Sequence, residues 1–354
     1  MRRLLALGLL AGTTGLALPA WADPLRVVTS FSVLADMVEQ VGGEQVDVTP
    51  LVGRDSDTHA FTPSPGDARR IAEADLVVFN GLQLEGWMER LIEASSYQGP
   101  LVIASKGITP LEGEAHDHAH DGHDHESHAH EAHDHADHEH DAHDHAGHDH
   151  DHDAHEAHDH ADHERESQEG HEGHDHGDTD PHAWLDVARA QQYVTNIRDG
   201  LIEADPDHAE TYRQNAAAYH DELSALDDEI RRLMADIPPG HRLVVTGHDA
   251  FNYFANAYDV RFLSPVGLTT ASEPSAALMG RLIDTLAANR VKALFHENIT
   301  NPALIEQLAE EAGLPIAGTL YSGALAANGE ASTYAGMMRH NATLIHDALA
   351  KNAE

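Results

Sequence analysis

Hydrophobic and polar positions along the chain follow two rhythms, and the switches between them mark out the elements. Leu25 to Thr29 and Val46 to Leu51 are short runs rich in β-branched residues, and between them Val33 to Val41 repeats at helical spacing. A helix after the Pro65 turn, a strand Asp75 to Phe79, a helix through Leu84 to Ala94 and a strand Leu101 to Ala104 continue the pattern. The alternation stops at Leu111 and resumes beyond Pro181 with a helix Val187 to Glu203. A second series runs Leu243 to Thr246, a helix Ala250 to Ala257, Val260 to Phe262, a helix Ser275 to Asn289, Val291 to Phe295, a helix after Pro302, Pro315 to Gly318 and a helix Ser332 to Leu349. Strands alternating with helices predict parallel sheets covered by helices on both faces.

Between the two series lies one longer helix, expected to start with Asp205 as N-cap and Pro206 at the first helical position. Its apolar residues, Tyr212, Ala216, Tyr219, Leu223, Leu226, Ile230 and Leu233, are spaced by four and three until Pro238-Pro239-Gly240 stops it. About 30 residues at 1.5 Å each make a rod of roughly 45 Å, long enough to bridge two domains, although a packed core helix carries the same stripe. The expected fold class is therefore α/β: two parallel-sheet domains joined by a long rigid helix, with a cleft between them. The boundaries read as 23–205 for the N-terminal domain, 206–237 for the linking helix and 238–354 for the C-terminal domain. Ligands of such sheets bind in loops just after strands.

Composition changes this picture in one place. Of 32 His in 354 residues, 23 fall between Glu114 and Asp180, together with 24 Asp and Glu and one basic residue, Arg165. Residues 114–180 hold no aliphatic side chain larger than Ala, so the segment is expected to be a disordered insertion, which the fold tolerates because loop closure costs grow only logarithmically. The formal net charge is −40, from Lys+Arg 21 against Asp+Glu 61, and that balance disfavours a nucleic-acid partner. Residues 1–22 read as a signal peptide: Arg2-Arg3, an apolar stretch Leu4 to Leu18, and Ala20-Trp21-Ala22 as the cleavage site. Cysteine is absent, which leaves no disulfide, thiolate ligand or lipid-attachment residue. The expected address is the periplasm.

Nine His lie outside the insertion. His208, His220, His340 and His346 fall on polar helix faces, His241 follows a Pro-Gly turn and His296 ends a strand. His59, His182 and His248 sit in loops after a strand or at the insertion boundary, each with an Asp nearby and an aromatic following. Three neutral imidazoles form a borderline-soft nitrogen set suited to Zn²⁺, whereas Mn²⁺ and Mg²⁺ prefer oxygen.

Several motifs then line up in order. Asp57-Thr58-His59-Ala60-Phe61-Thr62-Pro63-Ser64-Pro65, a His-rich insertion, Asp180-Pro181-His182-Ala183-Trp184, the helix with Asp205, Pro206, Tyr212 and Asn215, and His248-Asp249-Ala250-Phe251 span essentially the whole mature chain. Together they resemble the zinc-binding substrate-binding proteins of metal ABC transporters, a cluster that also holds manganese receptors. The resemblance implies two α/β domains linked by a rigid helix, a metal site between them formed by His59, His182 and His248, and delivery of the ion to a membrane permease. Manganese-binding relatives typically carry Glu at the third position, so His248 favours zinc. Where many relatives have Asp in a Tyr-Ser-Asp run, this chain has Tyr321-Ser322-Gly323, leaving the fourth place to water, to a residue such as Asp57, or to an insertion histidine.

The expected function is a monomeric extracytoplasmic zinc receptor with the insertion as an accessory collector. A periplasmic zinc buffer or chaperone, and a receptor for manganese, nickel or copper, are the alternatives. A zinc hydrolase needs a general base, and no H-E-x-x-H, G-x-S-x-G or P-loop motif occurs, so no enzyme activity is expected.

Overall fold

The computed structural model describes residues 23–112, 179–271, 276–289 and 291–350. Expectations for the signal segment and for the body of the His-rich insertion fall outside these residues. Nine helices and eight strands follow in chain order among the described residues. The first half contains β1 (Leu25–Phe31), α1 (Ser32–Gly42), β2 (Val46–Val52), α2 (Pro65–Glu73), β3 (Leu76–Phe79), α3 (Met88–Ser95) and β4 (Leu101–Ile103). Then come α4 (Val187–Ala204) and α5 (Ala209–Asp236). The second half contains β5 (Leu243–Val245), α6 (Asn252–Tyr258), β6 (Arg261–Leu263), α7 (Ala276–Asn289), β7 (Leu294–Glu297), α8 (Pro302–Ala312), β8 (Ile316–Leu320) and α9 (Tyr334–Ala350).

Both sheets are parallel and four-stranded, ordered β2-β1-β3-β4 and β6-β5-β7-β8. Val27 stands opposite Val48 and Leu76, and Val245 opposite Leu263 and Leu294. In each sheet all carboxyl ends share one edge, where the loops after β2, β5 and β7 emerge. The turns into the helices are written locally. Ser64 and Asp67 form a capping box with Pro65 at the first position of α2, Asp186 caps α4 by accepting from Ala188 N–H, and Asn301 caps α8 ahead of Pro302.

α5 buries Tyr212, Ala216, Tyr219, Leu223, Leu226 and Ile230, with Met234 taking the last place that spacing assigned to Leu233. It packs on α1 and α4 of the first half and on α9 of the second, and a single apolar core runs beside it through both halves. A smaller core of Leu243, Val245, Leu282, Leu286, Leu294 and Ile305 lies on the other face of the second sheet. Asp205 stands at the N-cap with Pro206 first, as expected, but Pro206 to His208 form a 3₁₀ turn before α5, and the Asp205 carboxylate also lies 2.6 Å from His208 Nδ1 and accepts from Tyr212 O–H at 2.7 Å.

The downstream edge of the insertion also moves. Glu112 and Thr179 form an antiparallel bridge, Asp180 N–H donates to the Leu111 carbonyl at 2.9 Å, and Asp180 is buried. Thr179 and Asp180 thus belong to the fold, held by the strand-like pairing of the two ends.

Candidate metal centre

His59 lies in the loop between β2 and α2, His248 in the loop between β5 and α6, and His182 three residues past the bridged Thr179 at the end of the insertion. The fold brings the three together, with one nitrogen of each ring within 4.8 Å of the others, the one such group among the described residues. The Nε2 atoms of His59 and His182 are 3.2 Å apart, and the ring centroids are 5.2, 5.4 and 5.7 Å from one another. His182 and His248 are fully buried and His59 is partly buried.

Buried carboxylates orient two of the rings. Asp180 Oδ1 lies 2.8 Å from His182 Nδ1 and also accepts the His182 backbone N–H at 2.8 Å. Its second oxygen accepts from Asn252 Nδ2 at 3.1 Å, and its carbonyl from Tyr253 O–H at 2.9 Å. Glu297, at the carboxyl end of β7, accepts the His248 backbone N–H through Oε1 at 2.8 Å and sets Oε2 2.8 Å from His248 Nδ1. An ionised carboxylate only accepts, so the Asp180 contact favours the ring proton on Nδ1 of His182 and leaves its Nε2 for an ion, while Glu297 Oε2 faces His248 Nδ1 at ion-pair distance. Burial alone would push the His248 pKa down, but Glu297 overrides it and the pKa is raised. Burial likewise works to raise Glu297, and the facing imidazole brings it below the usual carboxylate range. Asp180 is pushed up to about 7 by burial, against the hydrogen bonds from His182 N–H and Asn252.

The walls are aromatic. Trp184 stands edge-on to His182 at 5.3 Å, and its indole N–H donates to the Ser322 carbonyl at 2.8 Å. Trp87 donates to the Thr58 carbonyl at 3.2 Å and packs against Phe61, which steadies the loop of His59 from beneath. A cavity of about 600 Å³ reaches His248 past Asp57, Thr270, Thr300, Asn301 and Gln307.

The carboxylate partners are only partly those that proximity in sequence suggests. Asp180 pairs with His182 as expected. Asp57 accepts from the His59 backbone N–H at 2.9 Å instead of meeting its ring, and the Thr270 hydroxyl donates to its other oxygen. With both oxygens engaged, Asp57 does not join the group of converging atoms. The carboxylate on His248 is not neighbouring Asp249 but Glu297, 49 residues on, which sequence reasoning missed. Its signal was an acid at the carboxyl end of an otherwise apolar strand, the edge where α/β sheets hold ligands. Gly323 offers no side chain, and a Cβ there would stand 3.0 Å from Ile299 Cδ1. The remaining described histidines lie apart from the cluster; His208 is held by Asp205, His346 by Asp236, and His340 by the Thr319 carbonyl.

Known proteins share this architecture. The family model described as the periplasmic component A of the zinc-uptake complex matches residues 27–348. The manganese-binding lipoprotein MntA of Halalkalibacterium halodurans is 30% identical over 320 residues, covering 90% of this chain and 86% of that protein. The iron-binding protein YfeA of Yersinia pestis is 27% identical over 316 residues, covering 88% and 82%. The solved structure of the periplasmic zinc-binding protein TroA from Treponema pallidum superimposes with a TM-score of 0.72 at 26% identity, covering 93% of this chain and all of that one. With two parallel α/β halves, a buried three-histidine cluster at their strand ends and a family match over nearly the whole chain, the protein belongs to the zinc-uptake component A family of periplasmic metal-binding receptors for ABC transporters.

Proposed function

We propose that the protein is an extracytoplasmic zinc receptor that captures Zn²⁺ with His59, His182 and His248 and delivers it to the permease of an ABC transporter. The observation that carries this reading is the convergence of three imidazole nitrogens with no carboxylate oxygen among them. Zinc takes histidine nitrogens at about 2.0–2.1 Å in tetrahedral geometry, which sets neighbouring donors about 3.3–3.4 Å apart. The 3.2 Å between the Nε2 atoms of His59 and His182 matches that spacing. Manganese favours oxygen donors, and the third position here is His248.

Capture releases whatever protons the three Nε2 atoms carry, while Asp180 and Glu297 keep the Nδ1 protons in place and so raise the basicity of the two buried rings. Because the halves share a core along α5, small tilts and loop movements account for loading and release better than wide closure. The mature protein, cleaved after Ala22, acts as a periplasmic monomer, and the His-rich insertion raises the local zinc concentration beside the tight site. A manganese or iron receptor is the second reading, supported by the likeness to the manganese-binding MntA and the iron-binding YfeA.

The test is a calorimetric titration of three proteins with Zn²⁺ and with Mn²⁺: the mature chain, a version lacking residues 114–178, and that deletion with His59, His182 and His248 changed to Ala. One tight zinc site that survives the deletion and vanishes with the triple change supports the receptor. Loss of tight binding with the insertion alone makes the protein a histidine-rich buffer, and tighter manganese than zinc binding favours the second reading.

A further inference from the structure

The loop that carries His59 is tied to the opposite half of the molecule a few residues before the histidine. The Arg54 guanidinium donates from Nη1 to the carbonyls of Ala326, at 3.0 Å, and Ser332. Asp55 uses its backbone N–H and both carboxylate oxygens in the same direction. Its backbone N–H donates to the Leu325 carbonyl at 3.0 Å, Oδ1 accepts from Asn298 Nδ2 at 3.1 Å, and Oδ2 accepts from Ala327 N–H at 2.9 Å. To reach all three, Asp55 holds φ at +50°, a left-handed conformation that Asp tolerates better than most side chains. Asn298 also donates to the Ala324 carbonyl, at 3.1 Å, and so fastens the receiving segment to the end of β7.

We infer that Arg54 and Asp55 form a clasp between the halves that positions His59 against His182 and His248, and that this clasp sets how long the site retains its ion. Two short covalent paths support this. On one side, Asp55 is two residues from Asp57, whose carboxylate accepts the His59 backbone N–H. On the other, Asn298 follows Glu297, which holds both the ring and the backbone of His248. The Asp55–Asn298 hydrogen bond therefore joins the support of His59 directly to the support of His248. Both clasp residues carry full charges, so their bonds are of the stronger, charge-assisted kind. Of the loop's other tethers, that from Trp87 to the Thr58 carbonyl lies within the first half, and the Thr270 hydroxyl adds a single bond across the molecule, to the Asp57 carboxylate. With the clasp cut, the support of His59, the least buried of the three rings, is loosened most, and weaker hold by one of three ligands opens the path for the ion to leave. Arg54 and Asp55 are positioning residues and touch no cargo.

The inference rests on the three-histidine reading, and the experiment separates the two. The mature protein, Asp55→Ala, Asp55→Asn, Arg54→Gln and a control, Asp47→Ala at an exposed site on β2, are loaded with Zn²⁺. Stopped-flow mixing with excess chromophoric chelator gives the release rate, and mixing the metal-free proteins with Zn²⁺ gives the association rate. Asp55→Ala is expected to release zinc on the order of tenfold faster or more, with association changed less than about threefold, since the lost charge-assisted bonds act on retention. Asp55→Asn keeps one acceptor and falls between, Arg54→Gln moves in the same direction, and Asp47→Ala matches the wild type. Cobalt(II) loaded into Asp55→Ala should show altered tetrahedral absorption bands, which a purely structural loss of stability would leave unchanged. Wild-type release rates in folded Asp55→Ala and Arg54→Gln overturn the clasp. Should Asp55→Ala fail to fold, Arg54→Gln and Asn298→Ala decide in the same way. If the wild type itself holds no zinc, the three-histidine reading falls first.

Discussion

Replacing Glu297 with Gln changes one atom in a fully buried site and asks whether the carboxylate, and not merely its shape, holds His248. In the native arrangement one oxygen accepts the His248 backbone N–H and the other faces Nδ1, each at 2.8 Å. An amide cannot serve both. If its oxygen takes the backbone N–H, its NH₂ faces Nδ1 and forces the ring proton onto Nε2, the nitrogen that an ion requires. If it flips, the NH₂ meets the backbone N–H, donor against donor. Loss of such an outer partner typically lowers metal affinity about 10- to 100-fold, or about 1.4–2.7 kcal/mol of binding. The metal-free protein should also lose about 1–3 kcal/mol of stability for the buried group left unpaired. Competition against a chelator of known affinity at fixed pH and salt measures the first, and urea unfolding the second. Zinc affinity within about threefold of wild type in a folded Glu297→Gln protein would refute the argument that this carboxylate sets the ring tautomer.

Other expectations follow from residues away from the cluster. Asn80→Ala removes bonds to the Pro181 carbonyl at 3.0 Å, the Gly81 carbonyl at 2.9 Å and the Tyr193 hydroxyl at 2.7 Å. It should cost about 1–3 kcal/mol in urea unfolding and weaken zinc binding by loosening the residue before His182. Gly336→Ala should destabilise α9 by about 1–3 kcal/mol in thermal unfolding, against the usual gain for Ala in a helix, because the new Cβ would collide with the Glu330 carbonyl oxygen, a backbone atom that cannot readily yield. Burial pushes Asp36 up to about 6 and Glu85 up to about 7, so the folded protein binds protons at these sites more tightly than the unfolded chain does. Their contribution is full below the unfolded pKa and is lost as pH rises through about 6 to 7. Asp36→Asn and Glu85→Gln should therefore each lose less stability than wild type between pH 4.5 and 7.5, and parallel curves would refute the assignment.

Much of the architecture could be read from spacing alone, because each strand and helix buries a face whose period is local. The stripe from Tyr212 to Ile230 and the Ser64-Pro65-Gly66-Asp67 start of α2 are such cases. The three histidines of the proposed site stood out for a related reason, since His59 and His248 lie in loops after strands and His182 at the insertion boundary. Glu297 was not, because its partner lies 49 residues earlier and only the adjacency of β5 and β7 in the sheet brings them together. The N-cap position of Asp205 was legible but its side-chain partners were not, because a carboxylate before a Pro can also satisfy nearby side chains, and here Tyr212 and His208 engage it. The clasp was equally hidden, as Arg54 and Asp55 recognise main-chain groups and leave no trace in the identity of most of their partners.

The bridge between Glu112 and Thr179 holds together the two ends between which the chain's most unusual stretch is inserted. Because Glu112 and Thr179 pair, the points where the described chain breaks off and resumes stand side by side, and the pair works as a socket. A fluorescent reporter or an affinity handle spliced there would ride on the receptor without entering its core. Since Asp180 follows the socket directly and grips the His182 ring, the same junction would act as a strain gauge. A graft whose ends lie too far apart would pull on that carboxylate, and its misfit would register as weakened hold on the ion.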